Sequence, residues 1–229
     1  SSGASSYQSA QCGSITSSGS TGSISYGNYS LSSEGDEVLL ERLDGFLEKK
    51  GTSLQAFNDL ISKNVNDAGF GTRAGVVAAA VTLIGELGDQ YNVKISYYLG
   101  GGHHDGVKIG AVGYWGGRTE DDGHVCKWSN AGKTYDACGL DCSGFVPWAF
   151  KTGGFNMGTN VAHKFQYTPG AEKVSLDANK AVLQPGDLLE SNLHVILVIG
   201  IDEGAKQYIC AESSRIFEGL VFSRRSFNE

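Results

Sequence analysis

Residues 140–146 read LDCSGFV, a cysteine set between an aspartate and a Ser-Gly pair at the edge of an apolar run. A structural cysteine needs only apolar neighbours, whereas a nucleophile needs an electropositive niche, partial exposure and a base. Cys142 falls where a helix is expected to begin, and the unpaired N–H groups and dipole of a helix start favour thiolate over thiol. Gly144 lets a backbone or a substrate come close. Asp141 and Ser143 flank the sulfur with polar groups able to orient something charged. The chemistry implied is thiolate attack on an acyl carbon; the competing reading of Cys142 is an inert buried thiol.

Such a nucleophile needs a base. His194 opens the apolar run HVILVIG, where a strand end meets a loop and the ring would be held rigidly. His103 and His104 lie in a Gly-rich loop, His124 in a polar stretch and His163 in a connecting segment, and each reads better as a surface histidine. The base in turn wants an acceptor for its other ring nitrogen. Alternation along YICAESS puts Cys210 and Glu212 on one strand face and Ala211 on the other. Glu212 can accept that hydrogen bond and a neutral cysteine does so poorly, although a solvated strand-end carboxylate is the competing reading of Glu212.

Several elements must position these groups. The helix at Cys142 is expected to run to about Thr152 and to stop at Gly153 and Gly154. Pro147 inside it removes the bond to the Ser143 carbonyl and crowds it, costing about 3 kcal/mol in a helix interior, so a bent first turn is expected. Strands are expected at HVILVIGID, KQYICAESS and GLVFSRRSF, with Pro185-Gly186-Asp187 as a turn feeding another. Upstream, EVLLERLDGFLEKKG places Val38, Leu39, Leu43, Phe46 and Leu47 at helical spacing, so a helix of about three turns is expected from Glu37. A weaker helix is expected at SLQAFNDLISKNV. The strongest is TRAGVVAAAVTLIGELGDQY, whose Val76, Val77, Ala80, Val81, Ile84 and Leu87 form a broad apolar stripe. VKISYYLGGG reads as a strand entering a loop. Residues 103–139, polar and Gly-rich with Trp115 and Trp128, read as a long surface excursion. Helices first and strands second give an α+β class with an antiparallel sheet.

Composition bounds the function. At 229 residues and 40% hydrophobic content the chain suits one catalytic domain with appendages. Its net charge of −7, with no basic block, argues against nucleic-acid binding. No run approaches the roughly 20 apolar residues that span a bilayer. A first residue of Ser rather than Met is read as that of a processed or a trimmed chain. The five cysteines, at 12, 126, 138, 142 and 210, form no C-x-x-C pair and no zinc-like spacing with the five histidines. A structural zinc site is therefore not expected, and the thiol chemistry read above requires neither a metal nor a cofactor. The cysteines allow two disulfides and one free thiol, with Cys126 and Cys138 as the loop-closing pair, or five reduced thiols. Residues 1–33 are dominated by Ser and Gly and read as a flexible linker.

Four segments, ISYYLGGG, LDCSGFV, LQPGDLL and HVILVIG, stand in an order that resembles the NlpC-like cell-wall endopeptidases, papain-fold cysteine peptidases that cut peptidoglycan stem peptides. The likeness covers roughly residues 95–213. It implies a papain-like fold, with the nucleophile at the start of a helix packed on an antiparallel sheet, and extra N-terminal helices. It implies a linker over 1–35, a helical elaboration over 36–92 packing on the core, and a peptidase core over 93–229. Cys142 is implied as nucleophile and His194 as base. The family's third member is a polar residue, commonly His, Asn or Gln; simple alignment puts Cys210 there, and chemistry favours Glu212. The family's tyrosine falls on Tyr97, or on Tyr98 if the glycines shift by one, and would help bind the oxyanion beside the Cys142 N–H. Asp141 and Ser143 match positions that hold the free amino end of the stem peptide.

The implied activity is cleavage of the bond between γ-D-glutamyl and the next diamino acid, in a secreted or wall-associated bacterial protein. The alternatives are a Cys-His amidase or acyl transferase on a non-wall substrate, and a non-catalytic wall-binding domain.

Overall fold

A computed structural model of the chain describes residues 15–18, 23–31, 35–99, 101–102, 127–130, 133–136, 139–155, 170–191 and 193–229. In chain order the elements are β1 (Ile15–Ser18), β2 (Ser23–Tyr26), β3 (Tyr29–Ser30), β4 (Glu37–Leu39), α1 (Leu43–Lys49), α2 (Leu54–Ala68), α3 (Arg73–Tyr91) and β5 (Val93–Tyr97). There follow β6 (Lys127–Asn130), β7 (Lys133–Asp136), β8 (Gly139–Leu140), α4 (Cys142–Thr152), β9 (Leu188–Glu190), β10 (Val195–Asp202), β11 (Gln207–Ser214) and β12 (Gly219–Ser226). The class is α+β.

Helix α3 is the centre of the molecule. Every residue from Gly75 to Gly88 is buried, Thr82 and Glu86 included, so the stripe read from the sequence widens to burial all round, the pattern of a helix with neighbours on every side. Those neighbours include α2, α4, β3 and the strands β5, β10 and β12. Thr72 caps its start through Gly75 N, and Asn92, in the left-handed conformation at φ 54°, turns the chain from α3 straight into β5. No helix among the described residues is long and apolar enough to cross a membrane.

The main sheet runs β4-β5-β12-β11-β10-β9, with β8 also paired to β5. It is mixed rather than antiparallel, because β4 and β8 each run parallel to β5. Parallel neighbours need long crossovers, and the chain supplies one through α1, α2 and α3 and another through the stretch between β5 and β8. The β9 to β12 meander is antiparallel as expected.

Two further expectations need correction. The helix expected from Glu37 begins only at Leu43, and Glu37–Leu39 instead forms β4. A β-prone Val-Leu pair beside the open edge of β5 gains ladder bonds that outweigh its helical spacing. Residues within the expected linker form the three-stranded sheet β1-β2-β3. Ile24, Tyr26, Tyr29 and Leu31 are buried in the main core, and Tyr29 lies against Gly85 while its hydroxyl donates to Glu86 Oε2 at 3.0 Å. Sparse large residues thus anchor a segment whose Ser and Gly content suggests a tether. Across residue 92 one apolar cluster joins α1, α2 and α3 to α4 and the sheet, and β4 belongs to that sheet.

Helix α4 is assigned continuously from Cys142 to Thr152 with Pro147 inside it. It ends at Gly153 as expected, and a side chain there would strike the Val76 backbone, so α3 and α4 touch main chain to main chain. Within the expected excursion, β6 and β7 form a hairpin and β8 enters the sheet. Cys12, His103, His104, Trp115, His124, Cys126, Cys138 and His163 lie outside the described residues, as does the pairing considered for Cys126 and Cys138.

Candidate active site

Cys142 is the first residue of α4, and the residues before it are fixed from three sides. Ser213 Oγ of β11 donates to the Leu140 carbonyl at 2.6 Å, and Tyr98 N donates to the same oxygen at 3.1 Å. Asp141 N donates to the Gly101 carbonyl at 3.3 Å. Asp141 then caps the helix, its Oδ1 accepting from Gly144 N at 2.8 Å and from Ser143 Oγ at 3.3 Å. A Cβ at Gly144 would sit 2.0 Å from the Gly101 carbonyl oxygen, so glycine is required where the YLGGG segment crosses the helix start. The sequence reading noted that freedom; the structure shows what uses it.

His194 stands immediately before β10. Its carbonyl accepts from Ser191 N at 2.8 Å, and β9 pairs Glu190 with Val195. The PGD turn secures that end of the sheet: Gly186, at φ 93°, donates to the Val198 carbonyl, and Val198 N donates to the Asp187 carbonyl. Asp187 also accepts from Gln184 N and pairs with Arg73 of α3. The LQPGDLL motif therefore serves the site through scaffolding.

From this position the His194 ring bridges two elements. Nε2 lies 2.6 Å from Glu212 Oε2, and the imidazole is also coupled electrostatically to Cys142, toward which Nδ1 is the remaining ring nitrogen. Cys142 is 4% exposed and Glu212 fully buried, while the His194 side chain keeps 29% of its surface open. Burial would favour a neutral imidazole. The hydrogen bonds to Cys142 and Glu212, reinforced by their negative charge, overcome burial and push His194 up to about 9.

Glu212 is also the acceptor of a second cation. Its Oε1 takes a hydrogen bond from Arg225 Nη2 at 2.7 Å. Burial would push the carboxyl up, but the bond to His194 and the Arg225 charge hold it below the usual carboxylate range. The ring nitrogen that Cys210, the alternative third member, would have served is met by Glu212 instead. Cys210 is buried in a smaller apolar cluster with Leu183, Ile196, Val198, Tyr208 and Phe227, and burial next to Glu212 pushes its thiol well up.

Tyr97 is 7% exposed and electrostatically coupled to both Asp141 and Cys142, which, after burial, push its phenol up. Tyr98, the alternative, gives its backbone N–H to the Leu140 carbonyl. Sequence reasoning missed Arg215, which lies with its guanidinium carbon 5.7 Å from the Tyr97 ring centre and hydrogen-bonds that side chain. It also missed Arg225. The available signal was alternation: Arg225 pairs with Tyr208, whose face of β11 also carries Cys210 and Glu212.

Among the described residues no group of three or more His, Cys, Asp or Glu could hold a metal ion. What the arrangement can do is hold a thiol and an imidazole together in a nearly dry site beside a phenol and a helix start. Comparison of the chain with protein-family models, curated proteins and solved structures finds no match in any of the three.

Proposed function

We propose that the protein is a papain-like cysteine peptidase of the NlpC-like kind, secreted to or held at a bacterial wall, and that it cuts peptidoglycan stem peptides. The observation that carries this reading is the His194 imidazole, bonded to the buried Glu212 carboxylate at 2.6 Å and coupled to the Cys142 thiol at the start of α4. Presence of a carboxylate at the acceptor position favours catalysis over a non-catalytic wall-binding domain.

In the first step the Cys142 sulfur, its proton resting on His194, attacks the amide carbonyl carbon and forms the C–S bond. The developing oxyanion is met by the Cys142 backbone N–H, at a helix position with no intrahelical acceptor, and by the Tyr97 phenol. The imidazolium then donates its proton to the departing nitrogen as the C–N bond breaks. Water, deprotonated by His194, attacks the thioester, and the carbonyl collapse returns the sulfur to Cys142. Glu212 keeps the ring oriented throughout and balances its charge. Asp141 and Ser143, already engaged in capping α4, form the wall on which the amino end of the substrate would rest. The favoured bond is that between γ-D-glutamyl and the following diamino acid.

Purified wall fragments incubated with the wild type should release stem-peptide fragments detectable by mass spectrometry, and Cys142→Ala should release none. Intact fragments after incubation with the wild type would sink the wall-hydrolase reading and leave an amidase or acyl transferase on another substrate.

A further inference from the structure

Glu212 is fully buried, yet its two oxygens face two different cations. Oε2 lies 2.6 Å from His194 Nε2, and Oε1 accepts from Arg225 Nη2 at 2.7 Å. Arg225 reaches it along β12, and the other arm of the guanidinium, Nη1, donates to Glu229 Oε1 at 3.0 Å. Its Nε is buried with no hydrogen-bond partner. An arginine with a purely surface role could turn that nitrogen to solvent, so the side chain gives up one hydrogen bond to keep its fork on two carboxylates.

We propose that Arg225 is a positioning residue for the Cys142–His194 pair: it fixes Glu212 with one oxygen turned to the imidazole and keeps that carboxyl ionised. The proposal deepens the catalytic reading of the pair and rests on it. A fully buried carboxylate with one oxygen unpartnered carries a heavy desolvation penalty, which it escapes by taking up a proton or by rotating. Either change would withdraw the counter-charge from His194. A guanidinium matches the carboxylate plane and cannot lose its own charge, so it holds the acceptor at every working pH.

The surrounding charges make the sign of the effect decisive. Glu212 faces His194 from the start of β10, the neutral Cys210 thiol on β11, and Arg225 with Glu229 from β12 and the chain end; His194 faces Cys142 of α4. Removing Arg225 deletes a positive charge, and by Coulomb's law alone that would tighten the imidazolium's hold on its proton. If Arg225 acts by keeping Glu212 ionised and oriented, the hold must instead loosen.

The test is an NMR titration of the His194 ring protons in the full chain, assigned by their loss in His194→Ala, for wild type, Arg225→Gln, Arg225→Met and Arg225→Lys. The expected result is a midpoint lower by about one unit or more in the Gln and Met variants, roughly a tenfold weaker grip, with at least half of it restored by Lys. On a Glu212→Gln background, Arg225→Gln should shift the midpoint no further. Turnover on wall fragments should fall through kcat rather than KM. An unchanged or raised midpoint in whichever of the Gln and Met variants folds, or a full shift surviving on the Glu212→Gln background, would overturn the proposal. The titration uses no substrate, so a lowered midpoint with wall fragments left intact would sink the peptidase reading alone.

Discussion

Glu86 and Glu212 are both buried carboxyls, one on the central helix and one on a central strand, and their surroundings drive them in opposite directions. Glu86 has the Tyr29 hydroxyl as a donor and Asp89 as a nearby like charge; burial dominates and pushes it up, toward a neutral acid. Glu212 has His194 and Arg225, whose bonds and charges outweigh a deeper burial and hold it ionised. Glu86 helps pin the β1-β2-β3 sheet to α3, a task one neutral hydrogen bond performs. Glu212 sustains a charged partner, which only a kept charge can do. Burial alone therefore does not set the charge of a carboxyl in this molecule; cations that oppose the burial do.

Substitutions at the two positions sharpen that contrast. The largest stability effect is expected from Glu212→Leu, which strands Arg225 without its main counter-charge and should cost about 3 kcal/mol in urea unfolding. Glu86→Leu, which removes one neutral hydrogen bond, should cost about 1 kcal/mol. Equal costs would break the comparison. For catalysis, Glu212→Gln should lower turnover on the order of tenfold or more and move the alkaline limb of the rate profile down from near 9, since the negative charge that supports the imidazolium is gone. Glu86→Gln should leave both within about twofold, given that its carbonyl oxygen still accepts from Tyr29.

The pH dependence of stability should separate them by sign. Glu212 sits below its ordinary 4.5 in the folded state, so its contribution is present above pH 4.5 and is lost as pH falls through the folded value. Glu86 sits above 4.5, so its contribution is present below pH 4.5 and is lost as pH rises. His194, raised from 6.5 to about 9, contributes fully below pH 6.5 and ceases to contribute as pH passes 9. Urea unfolding of the Gln variants across this range reads each loss, and Glu86→Gln should flatten the profile above pH 4.5 where Glu212→Gln flattens the acid side. The smallest effect is expected from Tyr29→Phe, about 1 kcal/mol with no change in turnover.

Much of the site was legible in the sequence because it depends on periodicities of one chain segment at a time. A helix start marks Cys142, a strand start marks His194, and alternation along YICAESS puts Glu212 on a face distinct from Ala211. What escaped depends on contacts between segments. Arg225 belongs to this second group: it pairs with Tyr208 in the sheet, and only its side chain, running along β12, brings its guanidinium to Glu212. The Ser and Gly content around Ile24, Tyr26, Tyr29 and Leu31 conceals a sheet whose anchorage lies in α3, more than 50 residues downstream for the Tyr29 to Glu86 bond. Glu37–Leu39 shows helical spacing locally, and only the free edge of β5 turns it into a strand.

The central claim is that His194 makes the Cys142 sulfur a nucleophile near neutral pH. The most direct measurement is the rate of iodoacetamide alkylation at each cysteine at pH 6, read by mass spectrometry in wild type and His194→Ala. The account predicts that Cys142 reacts while Cys210 stays unlabelled, and that His194→Ala slows Cys142 by at least about tenfold. Labelling of Cys142 no faster than Cys210, or indifferent to the loss of His194, would contradict it.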